Sequence, residues 1–140
     1  DFSANKTEVI VGEAIAFTSS ISGGKTPYTY AWDFDNSGST DSTLANPSYS
    51  YASAGTYTVS LTVTDSLSYT ANKTRTGYVS VHKLGDANGS GVVNSIDITY
   101  LEHIILGSPG YPYTTWADAN QDTQANALDI TAIEIIIMAG

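Results

Sequence analysis

Residues 86–97 and 118–129 repeat one another at an offset of 32 residues. Asp86, Ala87, Asn88, Asn94 and Asp97 recur as Asp118, Ala119, Asn120, Asn126 and Asp129. The agreement runs on past the last acid, where Ile98, Thr99, Glu102 and Ile105 recur as Ile130, Thr131, Glu134 and Ile137. A turn rich in Asp and Asn was therefore copied together with the apolar-periodic segment behind it, and the C-terminal part of the chain must be built from two like pieces.

The texture of the sequence changes near His82, which divides the chain into expected domains at residues 1–83 and 84–140. Charge is divided unevenly: residues 1–83 carry seven acids and all five Lys and Arg, whereas residues 84–140 carry seven acids and no base, within a net charge of −9. Domains of about 60 to 80 residues are marginal on apolar burial alone and often recruit disulfides or metals. The chain has no cysteine, so a metal is the remaining staple. An acidic half without bases argues against nucleic acid, which needs clustered Lys and Arg, and against an anionic membrane surface. No run suggests membrane insertion or a signal peptide, and strand-like sequence directly after Asp1 leads us to expect a fragment of a longer polypeptide. Richness in Thr, Ser, Tyr, Gly and Asn with few Lys suits a secreted or cell-surface module.

Calcium takes oxygen ligands, and a loop of about twelve residues supplies them from positions 1, 3 and 5, the carbonyl of 7, a water at 9 and a bidentate carboxylate at 12. Counted from Asp86, these are Asn88, Ser90, the Val92 carbonyl, Asn94 and Asp97, with Gly91 at the sharp turn. Counted from Asp118, they are Asn120, Asp122, the Gln124 carbonyl, Asn126 and Asp129. We therefore expect two calcium ions. Each loop is compromised once: Ser90 stands where an Asp would bind harder, and Thr123 stands where glycine eases the turn. Fewer anionic ligands should make the first site the weaker. Asp- and Asn-rich turns also occur without metal, but two in register, with no neighbouring base, favour the cation.

In the first half, apolar and small polar residues alternate from Ala14 to Phe17, Tyr28 to Phe34, Thr56 to Thr64 and Gly77 to Val81, the period of half-buried strands. Turn signals at Gly23-Gly24, Asn46-Pro47 and Ala54-Gly55 space them into an antiparallel two-sheet sandwich. Trp32-Asp33-Phe34-Asp35, Asn46-Pro47-Ser48-Tyr49-Ser50-Tyr51 and the run Ala54 to Asp65 resemble the PKD domain, an immunoglobulin-like sandwich, and the resemblance implies a non-catalytic spacer or interaction module. Asp35, Ser37, Ser39 and Asp41 surround a glycine turn whose residue types fit either a third calcium site or a polar hairpin.

In the second half, both loops carry Asp rather than Glu at their last position, and neither follows an entering helix: Tyr78 to Lys83 is strand-like and Tyr111 to Trp116 irregular. Gly85 to Asp97, followed by Leu101 and Ile105-Leu106-Gly107, resembles the type I dockerins, with Thr123 and Ala125 departing in the second copy. The resemblance implies a small all-α module of duplicated calcium loop-helix units that docks into a cohesin domain of a scaffold protein. It further implies that loop positions 10 and 11, Ser95-Ile96 and Ala127-Leu128, contact the partner together with His103 and Ile135 on the helices. Because the copies differ there, the face bearing Leu128 and Ile135 should dominate by burying more apolar area. Helical periodicity puts Ile98, Leu101 and Ile105, and Ile130, Ile133 and Ile137, on the core stripes.

The expected protein is a calcium-dependent adaptor, an all-β sandwich spacer followed by a small all-α cohesin-binding module, anchoring a larger secreted protein into a multiprotein or cell-surface complex. The rival reading is a calcium-stabilised structural cap packed on its own sandwich or on a second copy. With no Gly- or Ser-rich linker between Val81 and Leu84, packing between the domains is also expected. An enzyme is not expected: His82 and His103 are the only histidines, neither has a nucleophile partner in sequence, and paired carboxylates occur only inside the calcium loops.

Overall fold

In the first half, apolar side chains on alternate residues fold into strands: β1 (Phe2–Ala4), β2 (Glu8–Ile10), β3 (Ala14–Ser19), β4 (Thr29–Asp33), β5 (Ser48–Ser50), β6 (Gly55–Thr64) and β7 (Thr70–His82). The computed structural model describes residues 1–139, which fall into two units, one from Asp1 to Val81 and the other beginning at His82. Within the first unit, a three-stranded sheet in the order β1-β3-β5 faces a four-stranded sheet in the order β2-β7-β6-β4. The β3, β5, β6 and β7 partners run antiparallel, with Ile15 opposite Tyr49 and Trp32 opposite Leu61.

Period-2 alternation delivers one row from each strand to the interior. Ile15 and Phe17 from β3 meet Trp32, Val59, Leu61 and Val79 from the opposite sheet, and all are buried. Aromatic rings fill the gap between the sheets: Phe17 lies 5.6 Å from Trp32 and 4.7 Å from Phe34 between centroids. The polar tips of Trp32 and Tyr51 find backbone partners. The Trp32 indole N–H donates to the Leu44 carbonyl at 2.9 Å, and the Tyr51 hydroxyl donates to the Phe34 carbonyl at 2.9 Å. Burial pushes the Tyr51 hydroxyl well above the ordinary range of a phenol.

Alternation does not announce β1, β2, β5 or residues 70–76 of β7. The first three are only three residues long, and the last is a polar run whose side chains are mostly exposed. That run becomes strand because β6 offers it a ladder, Val59 to Thr64 pairing with Arg75 to Thr70 after a register shift at Tyr57.

The second unit holds α1 (Ser95–Ile105) and α2 (Ala127–Ala139). Asn94 caps α1, accepting the Ile96 amide, while the Asp97 carboxylate reaches back to the Asn94 amide as a capping box. Leu101 and Ile133 are fully buried and form a core with Ala87, Ala117 and Ala119. Ile98 with Ile104, and Ile130 with Ile136, flank them. The expected stripes are corrected at one end: Ile105 is 41% and Ile137 37% exposed, and Ile104 and Ile136 take their places. The helices meet along the i, i+3 rows 98-101-104 and 130-133-136 rather than turning to i+4, a ridge that helix packing uses as readily. No helix among the described residues is long and apolar enough to cross a membrane.

Candidate functional site

Each repeated turn is organised from its own acids. Asp86 accepts the Ser90 amide on Oδ1 at 2.9 Å and the Gly91 amide on Oδ2 at 2.7 Å. Asp118 accepts the Asp122 amide at 3.0 Å and the Thr123 amide at 2.7 Å in the same way. At the far end of the first turn, Asp97 accepts the Asn88 amide at 3.1 Å and the Asn94 amide at 2.8 Å. Asp129 does the same with Asn120 at 3.2 Å and Asn126 at 2.8 Å. The loops are thus wound by one hydrogen-bond pattern, because an Asp reaching forward four and five residues and an Asp reaching back nine and three close the same ring.

The sharp turns require left-handed backbone at equivalent positions, where φ is 72° at Gly89 and 86° at Gly91, and 61° at Gln121 and 72° at Thr123. Glycine adopts this region freely, whereas a side chain there costs about 1–2 kcal/mol, most for a β-branched residue. The second loop therefore carries strain that the first avoids.

Asp86, Asp97, Asp118 and Asp129 are all buried. Asp118, Asp122 and Asp129 each bring a carboxylate oxygen within 4.8 Å of the others. The amides of Asn120 and Asn126 both approach Asp122 Oδ2, at 3.3 and 3.4 Å. In the first loop, Ser90 takes the place of the third carboxylate, its hydroxyl 3.4 Å from Asp86 Oδ1 and 3.2 Å from the Val92 carbonyl. No basic side chain neutralises these acids: the ion pairs among the described residues are Lys6 with Glu13 and Arg75 with Asp1, both in the sandwich. Burying a carboxylate without a counter-charge costs several kcal/mol, and so many acids in so small a unit call for a cation. A hard, oxygen-seeking divalent ion fits the donor set of carboxylates, carboxamides, a hydroxyl and carbonyls. Burial, followed by the charges of Asp118 and Asp129, also pushes the nearby Tyr113 hydroxyl upward.

The third candidate turn is gathered differently from expectation. Asp33, absent from the expected set, joins Asp35 and Asp41, while Ser37 and Ser39 bond one another at 2.7 Å. Asp33 accepts the Ser37 and Gly38 amides, and Asp41 accepts the Phe34 amide at 2.7 Å. Asp35 and Asp41 are exposed, so solvent screens the cluster as it does not screen the repeated loops.

On the helices, Ser95, Ile96, Ala127, Leu128 and Ile135 are exposed. His103 is half-buried, its ring stacked 4.3 Å from that of Tyr111 and its Nδ1 3.2 Å from the Ser108 hydroxyl. Sequence reasoning missed Leu106 and Met138, which are the most exposed large apolar residues of the unit and equivalent under the same 32-residue offset. They sit about 60° around their helices from His103 and Ile135. The repeat was the signal that could have found them. Because Ile96 is as exposed as Leu128, the two faces differ less than their sequences suggest.

Comparison with known families finds the PKD domain over residues 2–81 and the dockerin type I domain over residues 84–137. The PKD1 domain of Vibrio anguillarum Epp is 40% identical over 58% of this chain and 90% of its own, with a TM-score of 0.44. The PKD1 domain of the Vibrio cholerae metalloprotease PrtV is 38% identical over 57% and 93%, with a TM-score of 0.43. A structure described as showing promiscuous specificity of carbohydrate-binding modules of the β-sandwich superfamily is 28% identical over 59% of this chain and 33% of its own, with a TM-score of 0.49. No curated protein matches the chain. With more than half of its length matched by the first family and most of the remainder by the second, this chain belongs to the PKD domain family and carries a type I dockerin domain behind its PKD domain.

Proposed function

We propose that the chain is the adaptor portion of a secreted or cell-surface protein, in which residues 84–140 bind two calcium ions and plug into a cohesin domain while the sandwich acts as spacer. Type I dockerins as a family bind calcium and cohesins, and both modules are non-catalytic types found in secreted or cell-surface proteins. The observation that carries the two-ion reading is the set of buried Asp86, Asp97, Asp118 and Asp129, closed by matching hydrogen bonds and lacking any basic partner among the described residues. Asp86, Asn88, Ser90, the Val92 carbonyl, Asn94 and Asp97 would hold one ion. Asp118, Asn120, Asp122, the Gln124 carbonyl, Asn126 and Asp129 would hold the other. Each ion adds its binding free energy to folding.

The cohesin-facing surface is assigned to Ser95, Ile96 and His103 in the first copy and to Ala127, Leu128 and Ile135 in the second, with the latter dominant. Its support is exposed apolar area beside each loop, and His103 held on Tyr111 leaves Ile135 as the more adaptable anchor. Isothermal titration of a cohesin against the wild type and the Leu128→Asp/Ile135→Asp variant tests this in calcium. Loss of binding with intact helicity is expected; an unchanged affinity moves the surface to the first copy.

A further inference from the structure

The inner face of the four-stranded sheet carries two basic residues, Arg75 opposite Val59 and Lys73 opposite Leu61; Arg75 is paired with Asp1 and lies over the Phe2 ring, whereas Lys73 is not so held. Leu61 on β6 pairs with Trp32 on β4 and Lys73 on β7, and Val63 pairs with Tyr30 and Ala71. Cross-strand partners share a face, so Lys73 falls in the row that elsewhere supplies the core. It is exposed and forms none of the ion pairs among the described residues. It can stand there because the sandwich opens at this end into a cleft of about 350 Å³, floored by Leu61, Val63 and Ala71.

The cleft is preformed. It is lined by Tyr28 from the β3–β4 connection and by Asp65 and Tyr69 from the β6–β7 hairpin. These segments are tied together by the Lys25 amide donating to Asp65 Oδ2 at 3.1 Å and the Ser66 amide donating to the Lys25 carbonyl at 3.0 Å. At Gly24, where φ is +75°, a Cβ would come 3.2 Å from the Tyr28 ring and 3.4 Å from Asp65 Oδ2, so the approach needs glycine. Burial raises the Asp65 carboxyl, but the Tyr69, Lys25 and Leu67 amides outweigh it and hold the group below the ordinary carboxylate range, an anionic acceptor.

An apolar floor, a tyrosine ring 73% exposed, and one acceptor and one donor of opposite charge suit a ligand with flat C–H faces edged by hydroxyls. Asp65 offsets Lys73, and the Asp1 carboxylate is held by Arg75 at 3.1 Å, so the cleft favours an uncharged ligand. The geometry points to a binding site for neutral oligosaccharide on the PKD domain, with a pyranose ring stacked on Tyr69 and its hydroxyls bonded to Asp65 and Lys73.

The test is titration of the whole chain, in calcium, with cellohexaose, xylohexaose, mannohexaose and hexagalacturonate, alongside methyl chemical-shift mapping. At least one neutral hexaose should bind and shift the Leu61, Val63 and Ala71 methyls. Tyr69→Ala, at an exposed position, should weaken it roughly tenfold, the equivalent of one aromatic contact. Lys73→Gln gives a second variant on the strand itself and should also weaken it. Binding of none of the neutral sugars, shifts confined elsewhere, indifference to both substitutions, or tighter binding of hexagalacturonate would each overturn the assignment.

Discussion

The carboxylates of the first and last acids accept equivalent backbone amides in the two loops, yet the loops differ at the residues that set charge and strain. In the first, Gly89 and Gly91 take the left-handed positions without cost but Ser90 leaves only the carboxylates of Asp86 and Asp97. In the second, Asp122 completes a three-carboxylate cluster while Gln121 and Thr123 are held left-handed. A carboxylate about 4 Å from a unit positive charge is worth roughly 4 kcal/mol at an effective surface dielectric, and more against a divalent ion. The strain at Gln121 and Thr123 totals about 2–4 kcal/mol. Charge wins narrowly, so the second loop is expected to be the tighter site. Loop geometry and metal affinity are thus written by different residues of the same turn.

Removing calcium should erase the contrast between the loops by abolishing both. With excess chelator, the helical circular dichroism of residues 84–139 is expected to collapse while the buried aromatic signal of the sandwich persists, since its core around Trp32 is closed by packed apolar and aromatic side chains. Helix content indifferent to chelator would break the whole comparison.

Removing one acid should separate the copies. Asp97→Ala or Asp129→Ala deletes a buried carboxylate that also accepts two loop amides, and about 3 kcal/mol or more of stability should be lost with calcium bound. Calorimetric stoichiometry should fall from two ions to one in either case. A stoichiometry unchanged by both substitutions would remove these acids from the ligand set.

Exchanging the charged position sharpens the ranking. Ser90→Asp should tighten the first site by roughly tenfold, about 1.4 kcal/mol, and bring the two closer in a calcium titration. If the first site is already the tighter in the wild type, strain outweighs charge and the ranking reverses.

The smallest effect isolates strain alone. Thr123→Gly should stabilise the calcium-bound protein by about 1 kcal/mol in thermal melts, whereas Gly91→Thr in the other copy should destabilise it by a similar amount. Equal and opposite shifts would establish that the copies share their backbone requirement and differ only in how well the side chain meets it.

The sandwich and its core were legible because alternation is local: Ile15, Phe17, Trp32, Val59 and Leu61 are each marked by polar or small neighbours. The short strands β1, β2 and β5 carry too few residues for a period to show, and residues 70–76 become strand only because β6 is beside them. At the candidate site, the loop acids were visible because their spacing closes rings within one stretch of chain. Asp33 was missed because its role arises from the fold of the turn that brings it beside Asp35 and Asp41. Leu106 and Met138 were missed because exposure is a property of what does not pack.

What the chain settles by its order alone is therefore local: which residues wind each loop, where glycine relieves the turn, and which family each half belongs to. Tertiary structure chose the helix row that is buried. A 3.6-residue period accommodates i+3 and i+4 neighbours alike until a second helix arrives, and the arrival of α2 on α1 put Ile104 and Ile136 inside and left Ile105 and Ile137 out.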